Sequence, residues 1–287
     1  MSAMGANVLS LYRNATAIVT GAGSGIGLAL SESLIRRGAQ VWLADINGEA
    51  IEAAAERLGE SAHAVELNVC DATAVRKLVE SVAQDHQGLD LIFNNAGIGS
   101  GGETHLLTVD DFNRTIDVNI RGVVNGVVAA YPLMVKRGKG CIVNTASASG
   151  LLPFPLGVPY CMTKHAVVGL SESLRLEAES LGVQVSALCP TAVETPILDS
   201  EDMNNPAAGA GIDVRRYLTR LGGEPYAVDK FAEYALNAVA AGKGIVVAPA
   251  RARFSRWLSR MVPSLVDMTV RKALKEERAA RDASNAS

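Results

Sequence analysis

The sequence predicts a single α/β domain in which about seven parallel strands form a doubly wound sheet with helices on both faces. From residue 16 onward, short runs rich in β-branched residues alternate with longer helical patterns, as in βαβ units. The short runs are apolar throughout, as strands covered on both faces must be. With 287 residues and 48% hydrophobic content, the chain can bury the core of one large domain.

The predicted strands and helices follow one another in a regular order. The strands cover residues 16–20, 40–44, 62–67, 89–93, 141–145, 183–188 and 244–248. The helices cover residues 25–37, 48–58, 72–86, 108–136, 159–181 and 225–241. No repeat or low-complexity linker interrupts this order, so we predict one domain over residues 16–250, preceded by an extension over residues 1–15.

Two segments depart from the alternation. Residues 196–224 are rich in turn formers and follow the sixth strand, a position where lids and substrate loops occur. The arm over residues 251–287 mixes Arg and Lys with a set of apolar residues: Trp257, Leu258, Met261, Val262, Leu265 and Val266. This pattern favours a helical arm packed on its own or a partner subunit, and the alternative is a membrane-surface helix.

Composition excludes several classes of protein. A net charge of −3 with 20% charged residues argues against a nucleic-acid partner. The four cysteines are widely spaced and include no C-x-x-C pair, which indicates reduced thiols and no metal site. No apolar run approaches the roughly 20 residues that span a bilayer, and the N-terminus lacks the features of a signal peptide. A cytoplasmic protein without a membrane span is expected.

A glycine-rich loop, "TGAGSGIG" over residues 20–27, joins the first strand to the first helix. Gly21, Gly25 and Gly27 would permit a tight turn and let the backbone approach a pyrophosphate, whose charge would meet the N–H groups at the helix start. Alone, this spacing would also suit an ordinary glycine-rich turn. Its place in the predicted βαβ unit favours dinucleotide binding in a Rossmann-type fold.

Asp45 ends the second predicted strand, 18 residues after Gly27. A carboxylate there accepts hydrogen bonds from the adenosine ribose hydroxyls and repels a 2′-phosphate. Neither the glycine loop nor the "DIN" stretch supplies an arginine for that phosphate, so NAD(H) is preferred over NADP(H). The alternative is a solvated Asp45 that forms a turn with Asn47.

A further motif follows the fourth predicted strand. "NNAG" over residues 94–97 lies at the carboxyl end of the fourth strand, where ligands bind. Asparagines there also commonly form hydrogen bonds with the backbone groups of turns.

Tyr160 and Lys164 begin a helix and share one of its faces. A nearby ammonium lowers the pKa of a phenol, so this pair is able to move a proton, although such spacing is also common on ordinary helices. Ser147 lies just past the fifth strand, where its hydroxyl can donate to a developing alkoxide.

Together these motifs resemble the short-chain dehydrogenases/reductases over about residues 16–250. The resemblance implies that Ser147, Tyr160 and Lys164 are catalytic, that Lys164 also binds the nicotinamide ribose, and that Asn119 of "VNIRG" holds a water in a proton relay. Ser147 meets the family spacing, thirteen residues before the tyrosine and three before Gly150, whereas Ser149 does not. The implied cofactor-binding set is Gly21, Ser24, Gly25, Ile26, Gly27, Asp45, Asn68, Val69, Asn95, Ala96, Gly97, Tyr160, Lys164, Val193 and Thr195.

The sequence departs from the family pattern at two positions. Asn68 stands where the family often has Asp, and its carbonyl can still accept a hydrogen bond from the adenine amino group. Thr191 replaces the usual glycine after the sixth strand. A β-branched residue takes positive φ at a high cost, so we expect a changed backbone beside the nicotinamide, near Val193 and Thr195.

The predicted function is NAD(H)-dependent hydride transfer to or from a secondary alcohol or ketone. The apolar stretch "LLPFPLGVP" over residues 151–159 predicts a hydrophobic substrate, although Arg215, Arg216 and Arg220 would be able to supply positive charge. The rival prediction is a regulatory or scaffold protein that binds NAD(H) without turnover. The resemblance also implies a homodimer or homotetramer formed through the helices predicted at 108–136 and 159–181.

Overall fold

The computed structural model describes residues 11–86, 88–200, 213–249 and 252–285. Most of the predicted N-terminal extension and the middle of the 196–224 segment lie outside the described residues. Seven strands form one sheet: β1 Thr16–Thr20, β2 Gln40–Asp45, β3 Ala62–Glu66, β4 Leu91–Asn94, β5 Gly140–Thr145, β6 Val183–Pro190 and β7 Ile245–Ala248. All neighbours are parallel and the order is β3-β2-β1-β4-β5-β6-β7, which confirms the predicted fold class.

Helices cover both faces of the sheet. They are α1 Gly25–Arg36, α2 Gly48–Leu58, α3 Ala72–Asp85, α4 Val109–Ile116, α5 Gly122–Arg137, α6 Val158–Glu179, α7 Val214–Gly222, α8 Val228–Ala240, α9 Ala252–Met261 and α10 Pro263–Asn285. Successive residues of β1 point to opposite faces, so Val19 packs with α1 and α8 while Ile18 packs with α3, α5 and α6. This double burial explains why the strands are apolar throughout.

The strand order reverses between β1 and β4, which places a crevice at their carboxyl ends. In open α/β sheets, ligands bind at such a reversal. The loops after β1, β4 and β5 converge there, so the fold brings the glycine loop, "NNAG" and Ser147 to one edge.

The structure corrects the predicted helix over residues 108–136. A π turn at Asp117–Arg121 separates α4 from α5. Asn119 lies inside that turn and is completely buried. Since isolated π turns occur frequently at functional sites, this interruption is itself a structural signal.

A second correction concerns residues 196–224, which the sequence predicted only as a loop. A 3-10 turn at Pro196–Asp199 and the helix α7 occupy the described parts of this segment. Asp213 caps α7 by accepting a hydrogen bond from the N–H of Arg216 at 2.8 Å. The nine-residue helix was missed because turn formers precede it and it is too short for a clear periodic pattern.

The C-terminal arm packs on its own chain through α10. Glu277 is 1% exposed, and its carboxylate accepts hydrogen bonds from Arg216 and Arg220 of α7. Arg278 and Arg281 pair with the buried carboxylate of Glu103. These contacts hold α10 against α7 and against the loop after β4.

The combined run over residues 109–137 is the one described helical stretch long and apolar enough, by length and composition, to cross a bilayer. Val123, Ala130 and Met134 of this run are buried against the sheet. A core helix passes the same length test, so this observation is weak evidence for a membrane span.

Candidate active site

A cavity of about 880 Å³ opens at the carboxyl ends of the strands. It extends from the glycine loop and the end of β2 to the loop after β5 and to α7. The predicted site residues that line it are Gly21, Ser24, Gly25, Ile26, Asp45, Asn68, Val69, Asn95, Ala96, Gly97, Ser147, Tyr160, Lys164, Val193 and Thr195. Gly27 and Asn119 lie behind this lining.

The glycine loop is packed so closely that side chains would not fit at two of its positions. Gly21 has φ of 65°, and a Cβ there would lie 2.7 Å from the Cα of Ala96. A Cβ on Gly27 would lie 2.0 Å from the carbonyl oxygen of Gly21. The loop leads directly into α1, whose first N–H groups have no acceptor within the helix and would be able to bind an anion.

Asp45 lines the cavity with a carboxylate that the backbone holds in place. Its Oδ2 accepts a hydrogen bond from the N–H of Gly23 at 2.9 Å, and its Oδ1 accepts one from the N–H of Asn47 at 3.0 Å. Both predicted roles are compatible, because a carboxylate has about four acceptor positions and the turn with Asn47 uses only one. The remaining acceptor positions are available to a diol such as a ribose.

Asn95 ties the loop ends together. Its Nδ2 donates to the carbonyl of Thr20 at 3.0 Å, and its Oδ1 accepts from the hydroxyl of Thr145 at 3.0 Å. The hydroxyl of Thr20 accepts the N–H groups of Asn95 and Ala96. Asn95 thus shapes the cavity by connecting β1, β4 and β5. Its threonine partners could not be predicted from the sequence.

Tyr160 and Ser147 approach each other across the cavity. Burial raises the pKa of Tyr160 above its ordinary value of 10, and its hydrogen bond with Ser147 acts in the opposite direction. The sequence predicted a lowered pKa through Lys164, and this is wrong for the chain by itself. Removal of the phenol from water is the largest cause of the raised pKa of Tyr160, and the Nζ of Lys164 lies 5.4 Å from the centroid of the ring.

Lys164 is 3% exposed and points to the end of β5. Its Nζ donates to the carbonyl oxygen of Thr145 at 2.9 Å. Burial lowers the pKa of Lys164 to about 8. The side chain is therefore positioned at the cavity wall with an ammonium that is present at neutral pH and is lost as pH rises above about 8.

Asn119 is buried beside the loop after β4. Its Oδ1 accepts the N–H of Ile98 at 2.9 Å, and its Nδ2 donates to the carbonyl of Ile98 at 3.0 Å. A Cβ on Gly97 would lie 3.1 Å from Asn119 Oδ1 and 3.3 Å from Lys164 Nζ. Because Gly97 has no side chain, the amide oxygen of Asn119 and the ammonium of Lys164 can both lie next to its backbone.

The two departures from the family pattern are at Asn68 and Thr191. The Oδ1 of Asn68 accepts the N–H of Cys70 at 3.0 Å, which leaves one lone pair for a ligand. Among the described residues, the non-glycine residues with positive φ are Asn14 and Leu156. Thr191 is therefore not in the left-handed region, as expected for a β-branched residue, and the changed backbone beside the nicotinamide stays a prediction.

The end of the cavity beyond Tyr160 is apolar. Its walls come from the loop after β5, from the 3-10 turn, from α7 and from the start of α9: Leu151, Leu152, Pro153, Phe154, Leu198, Leu218, Leu221 and Ala252. The predicted wall over residues 151–159 is only partly correct, because Pro155, Leu156 and Val158 line a separate cavity of about 490 Å³. Residues of α7 and α9 were missed as lining.

The three arginines of α7 do not line the main cavity. Arg215 pairs with Glu194 and Asp199, whereas Arg216 and Arg220 pair with Glu277. They fasten α7 to its surroundings instead of offering charge to a ligand. The charged side chains among the lining residues are Asp45, Arg114 and Lys164.

Comparison with known proteins agrees with this geometry. Residues 15–205 match the family model for short chain dehydrogenases. The chain belongs to the short-chain dehydrogenase family. The glycine loop, Ser147, Tyr160 and Lys164 all fall within the matched residues.

Several relatives cover most of this chain. It is 33% identical over 260 residues, 88% of its length, to a probable oxidoreductase EphD of Mycobacterium tuberculosis. It spans only 44% of the length of that relative. It is 40% identical over 194 residues to a 2,5-dichloro-2,5-cyclohexadiene-1,4-diol dehydrogenase of Sphingobium indicum, covering 67% of this chain and 77% of that one.

A solved structure shares the fold. The short chain dehydrogenase/reductase of Burkholderia phymatum in complex with NAD superimposes with a TM-score of 0.78 and 28% identity. The match covers 88% of this chain and 95% of that one. The glycine cradle, the N-terminus of α1 and the carboxylate of Asp45 fit a dinucleotide in this chain as well.

Proposed function

We propose that this chain catalyses reversible hydride transfer between NAD(H) and the carbon of a hydrophobic secondary alcohol or ketone. One observation carries the proposal: Ser147, Tyr160 and Lys164 line the same cavity as the glycine loop and Asp45, at the end where its walls become apolar. The relative from S. indicum, a diol dehydrogenase by name, supports an alcohol as the substrate class. Because the chain spans only 44% of the length of the relative from M. tuberculosis, the activity of the whole protein is likewise a proposal.

Each catalytic side chain has a separate task. In ketone reduction, Tyr160 donates its phenolic proton to the carbonyl oxygen, and Ser147 donates a hydrogen bond to the same oxygen. In alcohol oxidation, the phenolate takes the hydroxyl proton as the carbon loses its hydride. When bound, the cofactor gives or accepts that hydride, and its oxidised ring adds positive charge beside the phenol. The raised pKa of Tyr160 keeps the proton available for reduction.

Lys164 and Asn119 would restore the proton of Tyr160. Lys164 lies at the cavity wall, held by Thr145, where it would also bind the ribose next to the nicotinamide. Asn119 has one lone pair left on Oδ1 after binding Ile98, and we assign to it a water that connects Lys164 to solvent. The closeness of Asn119 Oδ1 and Lys164 Nζ to the same point beside Gly97, at 3.1 and 3.3 Å, supports this assignment.

The polarity of the substrate is tested with two alcohols in which the carbinol carbon carries either a methyl group or a carboxylate. The apolar walls formed by Leu152, Phe154 and Leu218 predict that 2-octanol gives a kcat/KM at least about tenfold higher than 2-hydroxyoctanoate with NAD. Initial rates of NADH formation at 340 nm across aliphatic, aromatic and steroid alcohols extend the test. A strict requirement for an anionic substrate would refute the hydrophobic pocket.

The rival function is NAD(H) binding without turnover. It predicts tight NADH binding and no absorbance change with any alcohol or ketone in the same panel. We favour catalysis because the acid/base phenol, its serine partner and the buried lysine are all present and positioned around one cavity.

The preference for NAD over NADP rests on Asp45. Replacing Asp45 by serine is expected to lower the ratio of kcat/KM for NAD to that for NADP by about 10- to 100-fold, because the charge-assisted bonds to the ribose and the repulsion of a 2′-phosphate are both lost. Steady-state kinetics with both cofactors give the ratio. Asp45→Asn, which removes charge but keeps an acceptor, should give a smaller change, and an unaltered ratio in both variants would contradict the assignment.

The lowered pKa of Lys164 predicts how kcat/KM for ketone reduction depends on pH. The pKa of Lys164 is lowered to about 8, so its ammonium is present below that pH and lost above it. If the ammonium binds ribose and supplies the relay, kcat/KM for ketone reduction should be flat below pH 8 and fall as pH rises further. A pH profile of kcat/KM measures this, and a rate that rises steadily above pH 8 would count against the role of Lys164.

Association into a homodimer or homotetramer is proposed through α5 and α6. Val128 of α5 and Leu176 of α6 are both about two-thirds exposed, and exposed apolar side chains of this size are often buried in a subunit interface. Light scattering after size-exclusion chromatography gives the subunit number. The cytoplasmic location stays a prediction.

A further inference from the structure

An apolar stripe runs along α9 and the first turns of α10 on the outside of the molecule. Its members recur every three or four residues and are each between 41% and 63% exposed: Phe254, Trp257, Met261, Leu265 and Met268. Within α9 this spacing places Phe254, Trp257 and Met261 on one face, and within α10 it places Leu265 and Met268 on one face. The rings of Phe254 and Trp257 stack with centroids 5.7 Å apart, so they form a continuous apolar surface.

This stripe is separate from the part of the arm that packs on the domain. Further along α10, Ala273 and Glu277 are buried against α7 and its neighbours. At the other end, Arg253 contacts the hydroxyl of Tyr234 of α8 and thereby holds the first turn of α9 on the domain. Both ends of the stripe are thus fixed to the protein, while its apolar face points outward.

The charge of this region is opposite to that of the whole chain. Residues 251–272 contain six basic residues and one acidic residue, Asp267, although the chain as a whole carries a charge of −3. Arg260 and Arg271 are exposed, and each follows a stripe residue by three positions, so they flank the apolar face. An amphipathic helix with aromatic residues on one face and arginines beside it is typical of binding to anionic lipid surfaces.

We propose that the stripe on α9 and α10 binds an anionic membrane surface, with Phe254 and Trp257 entering the headgroup region and Arg260 and Arg271 contacting lipid phosphates. A second copy of the same stripe fits less well as the partner. Pairing α9 with another α9 would bring arginines together with no acidic residue between residues 251 and 262 to compensate them.

Membrane binding would bring the apolar end of the cavity close to lipid. Ala252, the first residue of α9, lines that end of the cavity. This consequence rests on the proposed function, since it matters only if the substrate is a hydrophobic alcohol or ketone that dissolves in lipid. The binding itself does not depend on catalysis, so it is tested without substrate.

The test is co-sedimentation of the full chain with vesicles of phosphatidylcholine alone and of phosphatidylcholine with 30% phosphatidylglycerol. We expect binding to the anionic vesicles, at least tenfold weaker binding to the neutral ones, and a blue shift of tryptophan fluorescence. Trp257 is 55% exposed whereas the other tryptophan, Trp42, is 9% exposed, so the shift would report on Trp257. Trp257→Phe should remove the shift and retain binding.

Two double variants separate the apolar and charged contributions. Phe254→Ser with Trp257→Ser, and Arg260→Gln with Arg271→Gln, should each weaken binding to anionic vesicles at least tenfold. Leu106→Ser with Val109→Ser removes two exposed apolar side chains elsewhere and should not change binding. The proposal is overturned if the protein ignores both vesicle types, if either stripe variant binds like the parent, or if Trp257 becomes buried by self-association without vesicles. Turnover of a soluble ketone is measured separately, so failure of the membrane proposal and failure of the proposed enzyme are distinguishable.

Discussion

Replacing Tyr160 by phenylalanine is expected to lower kcat by a factor on the order of 10² to 10⁴ in both reaction directions. The substitution removes the proton donor and acceptor and leaves the ring, its contacts with Phe154 and the cavity shape in place. NADH binding should stay within about twofold of the parent, because Tyr160 adds only its hydroxyl to a large binding surface. Steady-state rates at 340 nm and a fluorescence titration with NADH measure the two effects.

The matched control is Tyr131→Phe. Tyr131 lies on α5, outside the cavity lining, so the same chemical change there should leave kcat unaltered. A second pair compares neighbouring serines: Ser147→Ala should lower kcat, whereas Ser149→Ala should not. A Tyr160→Phe enzyme as active as the parent would show that another group transfers the proton.

Replacing Gly27 by alanine is expected to destabilise the glycine loop and weaken cofactor binding. A Cβ there would lie 2.0 Å from the carbonyl oxygen of Gly21 and 2.6 Å from Nδ2 of Asn95, so the loop and its asparagine bridge must move. Overpacking of this kind costs about 1–3 kcal/mol of folding free energy. The dissociation constant for NADH should rise at least tenfold, since the displaced backbone is the part that would face the pyrophosphate. Chemical denaturation and isothermal calorimetry give the two quantities.

Gly169→Ala provides the control for this substitution. Gly169 also lies inside a helix, α6, but a Cβ there would have nothing within 4 Å. The change should stabilise the protein by up to about 1 kcal/mol, because alanine is the better helix former, and should leave NADH binding unchanged. If both alanine variants bind NADH like the parent, the glycine loop is not the cofactor site.

Most of the sheet could be predicted because each strand is a short apolar run bounded by turn residues. Predicted strand bounds differ from the observed ones by at most two residues, as for β1 at 16–20 and β6 at Val183–Pro190. The glycine loop and Asp45 were also predictable, since their place relative to the strands determines their position in the crevice. These features are local in sequence and obey strong steric rules.

Other parts of the site depend on contacts between distant residues and leave no local pattern. Thr20 and Thr145 are ordinary strand-end residues in the sequence, yet their hydroxyls hold Asn95 and shape the loops. The π turn at Asn119 lies within a stretch that the sequence predicts as one continuous helix. The direction of the Tyr160 pKa shift reflects burial, which the one-turn spacing to Lys164 does not reveal.

Deuterium transfer from NADH labelled at both C4 positions tests the proposed chemistry most directly. With an apolar ketone such as 2-octanone, the parent protein should yield an alcohol that carries one deuterium on its carbinol carbon, as read by mass spectrometry. The Tyr160→Phe variant should yield far less of the same product. Saturable NADH binding combined with no deuterium in any product, across the full panel of ketones, would contradict hydride transfer and leave the NAD(H)-binding scaffold as the better account.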